Sequence, residues 1–231
     1  MTEKKGDRIA KIIARHGVCS RREAEKMIDA GRVKVDGKII DSPALVLEDS
    51  TRILVDDTPL PVKQKTRLWL YNKPPGLITS HKDEQDRSTV FDHLPKDMGH
   101  VISIGRLDQY TEGLLLLTND GALADKMMHP DQGLERIYHV LVKGKINPKI
   151  LAKLSKGIII EETRYKGIQA SIHKQLENST WLSLTLVEGK NREIRRVMDH
   201  FGWHIKKLKR ISYGPYHLGN LATDALMEVD I

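Results

Sequence analysis

The sequence predicts an α+β protein built in two parts, and three observations predict it. Helical periodicity opens the chain in two short amphipathic segments before residue 31. From Arg67 onward, apolar runs of strand length outnumber helical patterns. The helices of that second part are segregated among the strands, which argues against a doubly wound parallel sheet.

The first helix is read from Ile9, Ile12, Ile13 and His16, spaced for one face, with Gly17 as its stop. Ser20-Arg21-Arg22-Glu23 has the form of a capping box and opens a second helix with the stripe Ala24, Met27, Ile28. Gly31 ends it. Val33 and Val35 then alternate into Asp36-Gly37, a type I′ hairpin signal, and Lys38-Ile39-Ile40 returns. Residues 1–40 carry 11 Lys+Arg against 6 Asp+Glu, whereas residues 41–60 carry 1 against 5, so the basic surface belongs to the first forty.

Helix, helix and hairpin, with Arg8, Lys11, Arg21, Arg22, Arg32 and Lys34 at helix starts and along the hairpin, resemble the S4 RNA-binding module. Arginine forks suit phosphate, and the backbone N–H groups of a capped helix start add to an anion site. The resemblance implies that these six residues contact RNA. Thr51–Val55 reads as a further strand, and Pro59 to Lys65, with two prolines and no period, as an extended linker. The expected division is 1–60, a linker at 61–66, and 67–231.

In the second part, Leu68–Tyr71 reads as a strand entering the turn Lys73-Pro74-Pro75-Gly76. Residues 81–99 are polar and without period, which in a compact domain points to function or mobility. Val101–Ile104 and Leu114–Leu117 are apolar strands, and Asn119-Asp120-Gly121 turns into a short helix ending near His129-Pro130. Ile137–Val142 is a strand. Asn147-Pro148 caps and starts a helix that stops at Gly157. Strands over Ile168–Ile172 and Trp181–Val187 precede a helix from Asn191, with Ile194, Val197, Met198 and Phe201 inward.

With 38 Lys+Arg, 31 Asp+Glu and a net charge of +7, the composition is that of a globular protein with a polyanionic partner. No apolar run reaches the roughly 20 residues of a membrane span. Met1-Thr2-Glu3-Lys4-Lys5 leads into no apolar stretch, so no signal peptide and no membrane partner are expected. Cys19 is the single cysteine, which excludes an internal disulfide and a cysteine-based zinc site and suits a cytoplasmic protein.

The chain has no phosphate-binding glycine loop, no H-E-x-x-H pair and no G-x-S-x-G elbow. Its histidines lack metal-ligand spacing. What remains is Gly105-Arg106-Leu107-Asp108-Gln109-Tyr110-Thr111-Glu112-Gly113, a polar loop between two strongly apolar strands. Such a loop is well placed for function, although an isolated Asp there also reads as a turn former.

That run resembles the catalytic signature of the RsuA/RluB family of ribosomal RNA pseudouridine synthases, most like its RluB group. So do Asn72–Gly76, Arg136-Ile137-Tyr138, Glu188–Val197 and Lys209–Pro215. The resemblance implies a mainly antiparallel catalytic domain that isomerises uridine in ribosomal RNA, from the large subunit, without metal or cofactor. It implies that Asp108 is the essential carboxylate, Arg195 its partner, and Tyr138 a ring stacked on the target base. Arg106 is expected to contact RNA, and Lys73, Lys190, Arg192, Lys207, Lys209 and Arg210 to hold backbone phosphates. Glu193 departs from the neutral residue often found there, and is a potential competitor for Arg195. A monomer is expected. Small-subunit RNA, tRNA, or a non-catalytic RNA-binding or ribosome-assembly role stay open.

Overall fold

The computed structural model describes residues 6–48 and 51–231. The reading of Met1–Lys5 as lacking a signal peptide lies outside the described residues. Contacts divide the chain into two units, the first comprising residues 1–67 with 96–102 and 119–121, and the second comprising 68–95, 103–118 and 122–231.

In the first unit, β1 (Asp7–Arg8) leads into α1 (Ile9–Arg15), whose Ile9, Ala10, Ile12 and Ile13 are buried. The helix α2 (Arg21–Asp29) turns Ala24 and Ile28 into the same core. Its capping box is complete: Ser20 Oγ accepts from the Glu23 N–H, and the Glu23 carboxylate accepts from the Ser20 N–H at 3.0 Å. Losing one such cap costs about 1 kcal/mol. Ser20→Ala is therefore expected to lower the stability of this unit by about that amount, read as a shift of the denaturant midpoint with an unchanged slope.

β2 (Val33–Val35) pairs with β3 (Lys38–Ile39) through Asp36-Gly37, at φ 47° and 81°. β4 (Val46–Leu47) pairs with β1, and β5 (Ile53–Val55) lies on the other side of β2. β6 (Thr58–Pro59) returns from β5 over Asp56-Asp57, both at positive φ. The sheet order is β3-β2-β5-β6.

The second unit is organised by β7 (Leu68–Lys73), β8 (Ile102–Ile104), β9 (Glu112–Thr118), β10 (Arg136–Lys143), the small hairpin β11 (Ile158–Ile160) and β12 (Thr163–Tyr165), β13 (Gln169–Gln175), β14 (Ser179–Leu186), β15 (Ile205–Tyr213), β16 (Tyr216–His217) and β17 (Leu226–Val229). The nine-stranded sheet runs β13-β14-β10-β15-β9-β7-β17, with β16 on β15 and β8 on β9. Along that path only β15 and β9 are parallel. β7 and β9 are buried almost throughout, which explains their unbroken apolar text. The helices are α3 (Gly121–Met128), α4 (Pro148–Leu151), continued by a 3-10 turn to Lys156, and α5 (Glu193–His200). α5 buries Ile194, Val197 and Met198 against β10, β14 and β15. No helix among the described residues is long and apolar enough to cross a membrane.

At the parallel junction Gly113 sits at φ +99°, and a Cβ there would lie 2.2 Å from the Arg210 carbonyl oxygen. Only glycine lets β9 approach β15 this closely. The loop carrying Asp108 enters β9 one residue before Gly113, so this approach helps to set its position.

Candidate active site

The Asp108 loop is held from beneath by the segment that follows β7. Gly76 N–H donates to the Gln109 carbonyl at 2.8 Å, and Thr79 Oγ1 donates to the Leu107 carbonyl at 2.9 Å. Lys73, with 0% exposure, donates from Nζ to the carbonyls of Pro74, Gln109 and Thr111 at 2.9, 3.2 and 3.0 Å. Burial pushes its ammonium down to about 8, against the opposing pull of Asp108 and Glu112. The expectation that Lys73 holds an RNA phosphate therefore gives way: its three donors are spent on the chain itself.

The turn closes through the Asp108 carbonyl, which accepts from the Thr111 N–H at 2.9 Å. Its carboxylate projects away from that turn and faces cations of α5 and its N-cap. Asp108 Oδ2 lies 3.4 Å from Arg195 Nε and 3.8 Å from an Arg192 terminal nitrogen. Its side chain is 30% exposed, so the carboxylate is open to solvent on one side rather than fully buried. Arg195 is fixed by a second set of contacts, from Nη2 to the Tyr110 carbonyl at 3.0 Å and to Thr111 Oγ1 at 3.2 Å. Its guanidinium thus spans the carboxylate and the loop that carries it, which is a specific placement that lysine could not reproduce.

Arg192, the N-cap of α5, takes the left-handed conformation at φ 52°. Glu193 does not take up Arg195: its Oε2 accepts from the Lys190 N–H at 3.0 Å, and burial pushes its carboxyl up to about 7. With 4% exposure, it is a wall residue rather than a surface charge.

These groups enclose a cavity of about 560 Å³, within the size range of small-molecule sites. Tyr138 on β10 and Arg210 on β15 stand opposite each other in the ladder, and both line it, as does Arg106 at the exposed rim. Arg210, 3% exposed, donates through Nε to the Leu114 carbonyl at 2.8 Å and lies over the Tyr213 ring. It is thus a cation of the cavity wall. Lys209 pairs with His139 and Lys207 with Leu141, one register step from Tyr138 and Val140, so both lysines alternate onto the other sheet face. The structure does not bring them to the cavity. Lys190 lines the cavity, but its Nζ is engaged by Glu188 at 3.0 Å and by the Arg164 carbonyl.

Among the cavity residues without an assigned role in the sequence are three that carry polar chemistry, Arg136, Tyr213 and Glu188. Arg136 donates to Tyr213 Oη at 2.8 Å, to the Leu134 carbonyl at 2.8 Å and to the Val187 carbonyl at 3.1 Å. The Tyr213 ring is contacted by the guanidinium groups of Arg136 and Arg210, 4.6 and 5.1 Å from its centroid. Glu188 is the third. Period-two alternation from Tyr138 back to Arg136 was the available signal for the first of these.

A family model described as RNA pseudouridylate synthase matches residues 67–200, and one described as S4 domain matches 7–53. The chain belongs to the RNA pseudouridylate synthase family. It is 47% identical over 224 residues to an uncharacterized RNA pseudouridine synthase of Rickettsia felis, covering 96% of both chains. It is also 39% identical over 219 residues to the ribosomal large subunit pseudouridine synthase B of Yersinia pestis, covering 92% of this chain and 69% of that one. A crystal structure of a pseudouridylate synthase superposes with a TM-score of 0.70 at 26% identity over 96% of each chain. In this pseudouridylate synthase domain the loop between the two apolar strands and the cavity coincide, with Asp108, Arg195, Arg192, Tyr138 and Arg106 around one space.

In the S4 unit, the expected RNA contacts divide. Arg8, Arg21 and Arg22 are exposed. Lys11 pairs with Asp7 at 2.6 Å, Arg32 forms a two-pronged pair with Asp56, and Lys34 pairs with Asp57. The last two pairs are solvent-exposed, where such bridges are weak and phosphate can displace the carboxylate.

Proposed function

We propose that the chain isomerises a uridine of large-subunit ribosomal RNA to pseudouridine, acting as a monomer in the cytoplasm with Asp108 as the essential carboxylate. One observation carries the reading: Asp108 faces Arg195 and Arg192 inside a cavity that Tyr138 also lines. The relatives named ribosomal large subunit pseudouridine synthase B support the choice of RNA.

The reaction breaks N1–C1′, turns the uracil over while it is held, and forms C5–C1′, with the C5 proton lost and one gained at N1. It is redox-neutral. A stacked base cannot reach Asp108, so the uridine is flipped out of its helix at a cost of a few kcal/mol. Tyr138 supplies a ring for the base to stack on, and Arg106 at the rim contacts the RNA around the vacated position. Arg195 holds the Asp108 carboxylate aimed into the cavity, ready to act on the sugar or on the base. The exposed Arg192 carries a phosphate, as do Arg8, Arg21 and Arg22 of the S4 unit.

The test is tritium release from 5-labelled uridine in ribosomal RNA fragments and assembly intermediates, followed by mapping of modified positions in a deletion strain. Release from large-subunit fragments alone, and one lost modification there, is the expected result. Release from small-subunit RNA or tRNA alone would overturn the choice of target, and release from none would overturn the activity.

A further inference from the structure

The wall of the cavity holds a pair of acids that the reaction does not use. Glu188 and Glu193 both line it, and the intervening Lys190 ties them together. Glu188 accepts from the Lys166 N–H at 2.7 Å and from Lys190 Nζ at 3.0 Å, and Glu193 Oε2 accepts from the Lys190 N–H. One oxygen is left over. Glu193 Oε1 is fully buried and has no donor, and the other acid held by the same Lys190 is Glu188, whose carboxylate interacts with that of Glu193. Two ionised carboxylates cannot satisfy each other there, but a carboxylic acid and a carboxylate can.

We propose that Glu193 and Glu188 share one proton across the cavity wall, and that this bridged pair positions Arg192 and Arg195 against Asp108. The second half rests on the reading of Asp108 as the catalytic carboxylate. Glu193 begins α5, Arg192 is its N-cap, and Arg195 lies half a turn further on, so a displaced 188–193 loop would move both arginines. The charged and titratable groups that line the same cavity are Arg106, Asp108, Arg136, Tyr138, Lys166, Lys190, Arg192, Arg195, Arg210 and Tyr213, with Tyr165 against Lys190. Burial raises Glu193 to about 7. Working against its own desolvation, the Lys166 N–H and Lys190 hold Glu188 below its ordinary value, which makes it the acceptor.

The sign follows from linkage. A carboxyl whose folded value lies above its unfolded one contributes stability at low pH, and that stability is lost as pH rises from 4.5 to about 7. A glutamine at 193 can donate the same hydrogen bond to Glu188 without titrating. The experiment compares the intact wild-type chain with Glu193→Gln between about pH 5 and about pH 9. Three readouts are taken: the infrared band of a protonated carboxyl, the thermal midpoint, and kcat and KM for isomerisation. The wild type is expected to show a carboxyl band that titrates near 7 and is absent in E193Q. Its thermal midpoint falls over the same interval relative to E193Q. Its kcat falls on the alkaline side with KM nearly constant, and in E193Q that fall moves up by at least about one pH unit. No titrating band and parallel thermal profiles would overturn the shared proton. Superimposed kcat profiles with the band present would overturn its positioning role. Should neither protein isomerise uridine, the band and the thermal profiles still decide the proton, separately from the proposed function.

Discussion

Asp108→Asn is expected to abolish isomerisation, by on the order of 10³-fold or more, while RNA affinity stays within a few-fold of wild type. Asparagine has the same shape, so the loop should keep its turn through the main-chain bond from the Thr111 N–H to the carbonyl of residue 108. What it loses is charge and nucleophilicity, which any version of the chemistry requires. Affinity is spared because most of an RNA interface consists of phosphate contacts that fix register without joining the reaction. The pair is partly solvated, with side-chain exposures of 17% for Arg195 and 30% for Asp108, so its loss should cost about 1 kcal/mol of stability or less. Single-turnover tritium release and a salt-controlled binding titration separate the two effects. Residual release at wild-type rate would remove Asp108 from the chemistry, and a parallel loss of affinity would mean that the substitution damaged the site as a whole.

How much of this was legible in the sequence depended on how local each signal was. Ser20 and Glu23 announce their helix start because both halves of the capping box lie within one turn. Asp36-Gly37 announces its hairpin because both residues accept positive φ. The hairpin from β11 to β12 is not legible in the sequence, since its turn is Glu161-Glu162, at φ 46° and 64°, with neither glycine nor proline to mark it. The central strand β15 was equally obscure. Its text, Ile205-Lys206-Lys207-Leu208-Lys209-Arg210, looks like a solvated basic stretch, yet it lies between β10 and β9 in the middle of the sheet. Register decides what its cations do, and register comes from partners elsewhere in the chain. Arg210 turns inward to the cavity while Lys207 and Lys209 turn away from it.

The loop around Asp108 was visible as a polar interruption between apolar strands, but its anchoring was not. Residues of one charge type look alike in a sequence, and Lys73 and Arg192 are both plausible phosphate ligands there. Burial separates them: Arg192 has a side chain 53% exposed, and Lys73 has none. A lysine at the end of a fully buried strand has no phosphate to reach, so it satisfies main-chain carbonyls of the loop it supports.

That anchoring makes Lys73→Met the second substitution with a large expected effect. Methionine approximates the length of the lysine side chain and removes its three donors. The carbonyls of Pro74, Gln109 and Thr111 then lose their shared partner, Gln109 keeping the Gly76 N–H, and each group left unmet costs about 1–3 kcal/mol, while relief from burying an ammonium offsets part of this. A net loss of about 2 kcal/mol in unfolding free energy is expected from these opposing terms. The larger consequence is catalytic. Gln109 and Thr111 flank the turn that aims Asp108, and Thr111 also receives Arg195. A shift of about 1 Å in that turn is worth about 10²-fold in kcat. KM should change little, because Lys73 has no exposed surface with which to touch RNA. Denaturant titration and steady-state kinetics on the same preparation decide the matter. A raised KM with normal kcat would return Lys73 to the role of phosphate ligand, whereas a lowered kcat in a folded protein marks it as the residue that holds the catalytic loop in place.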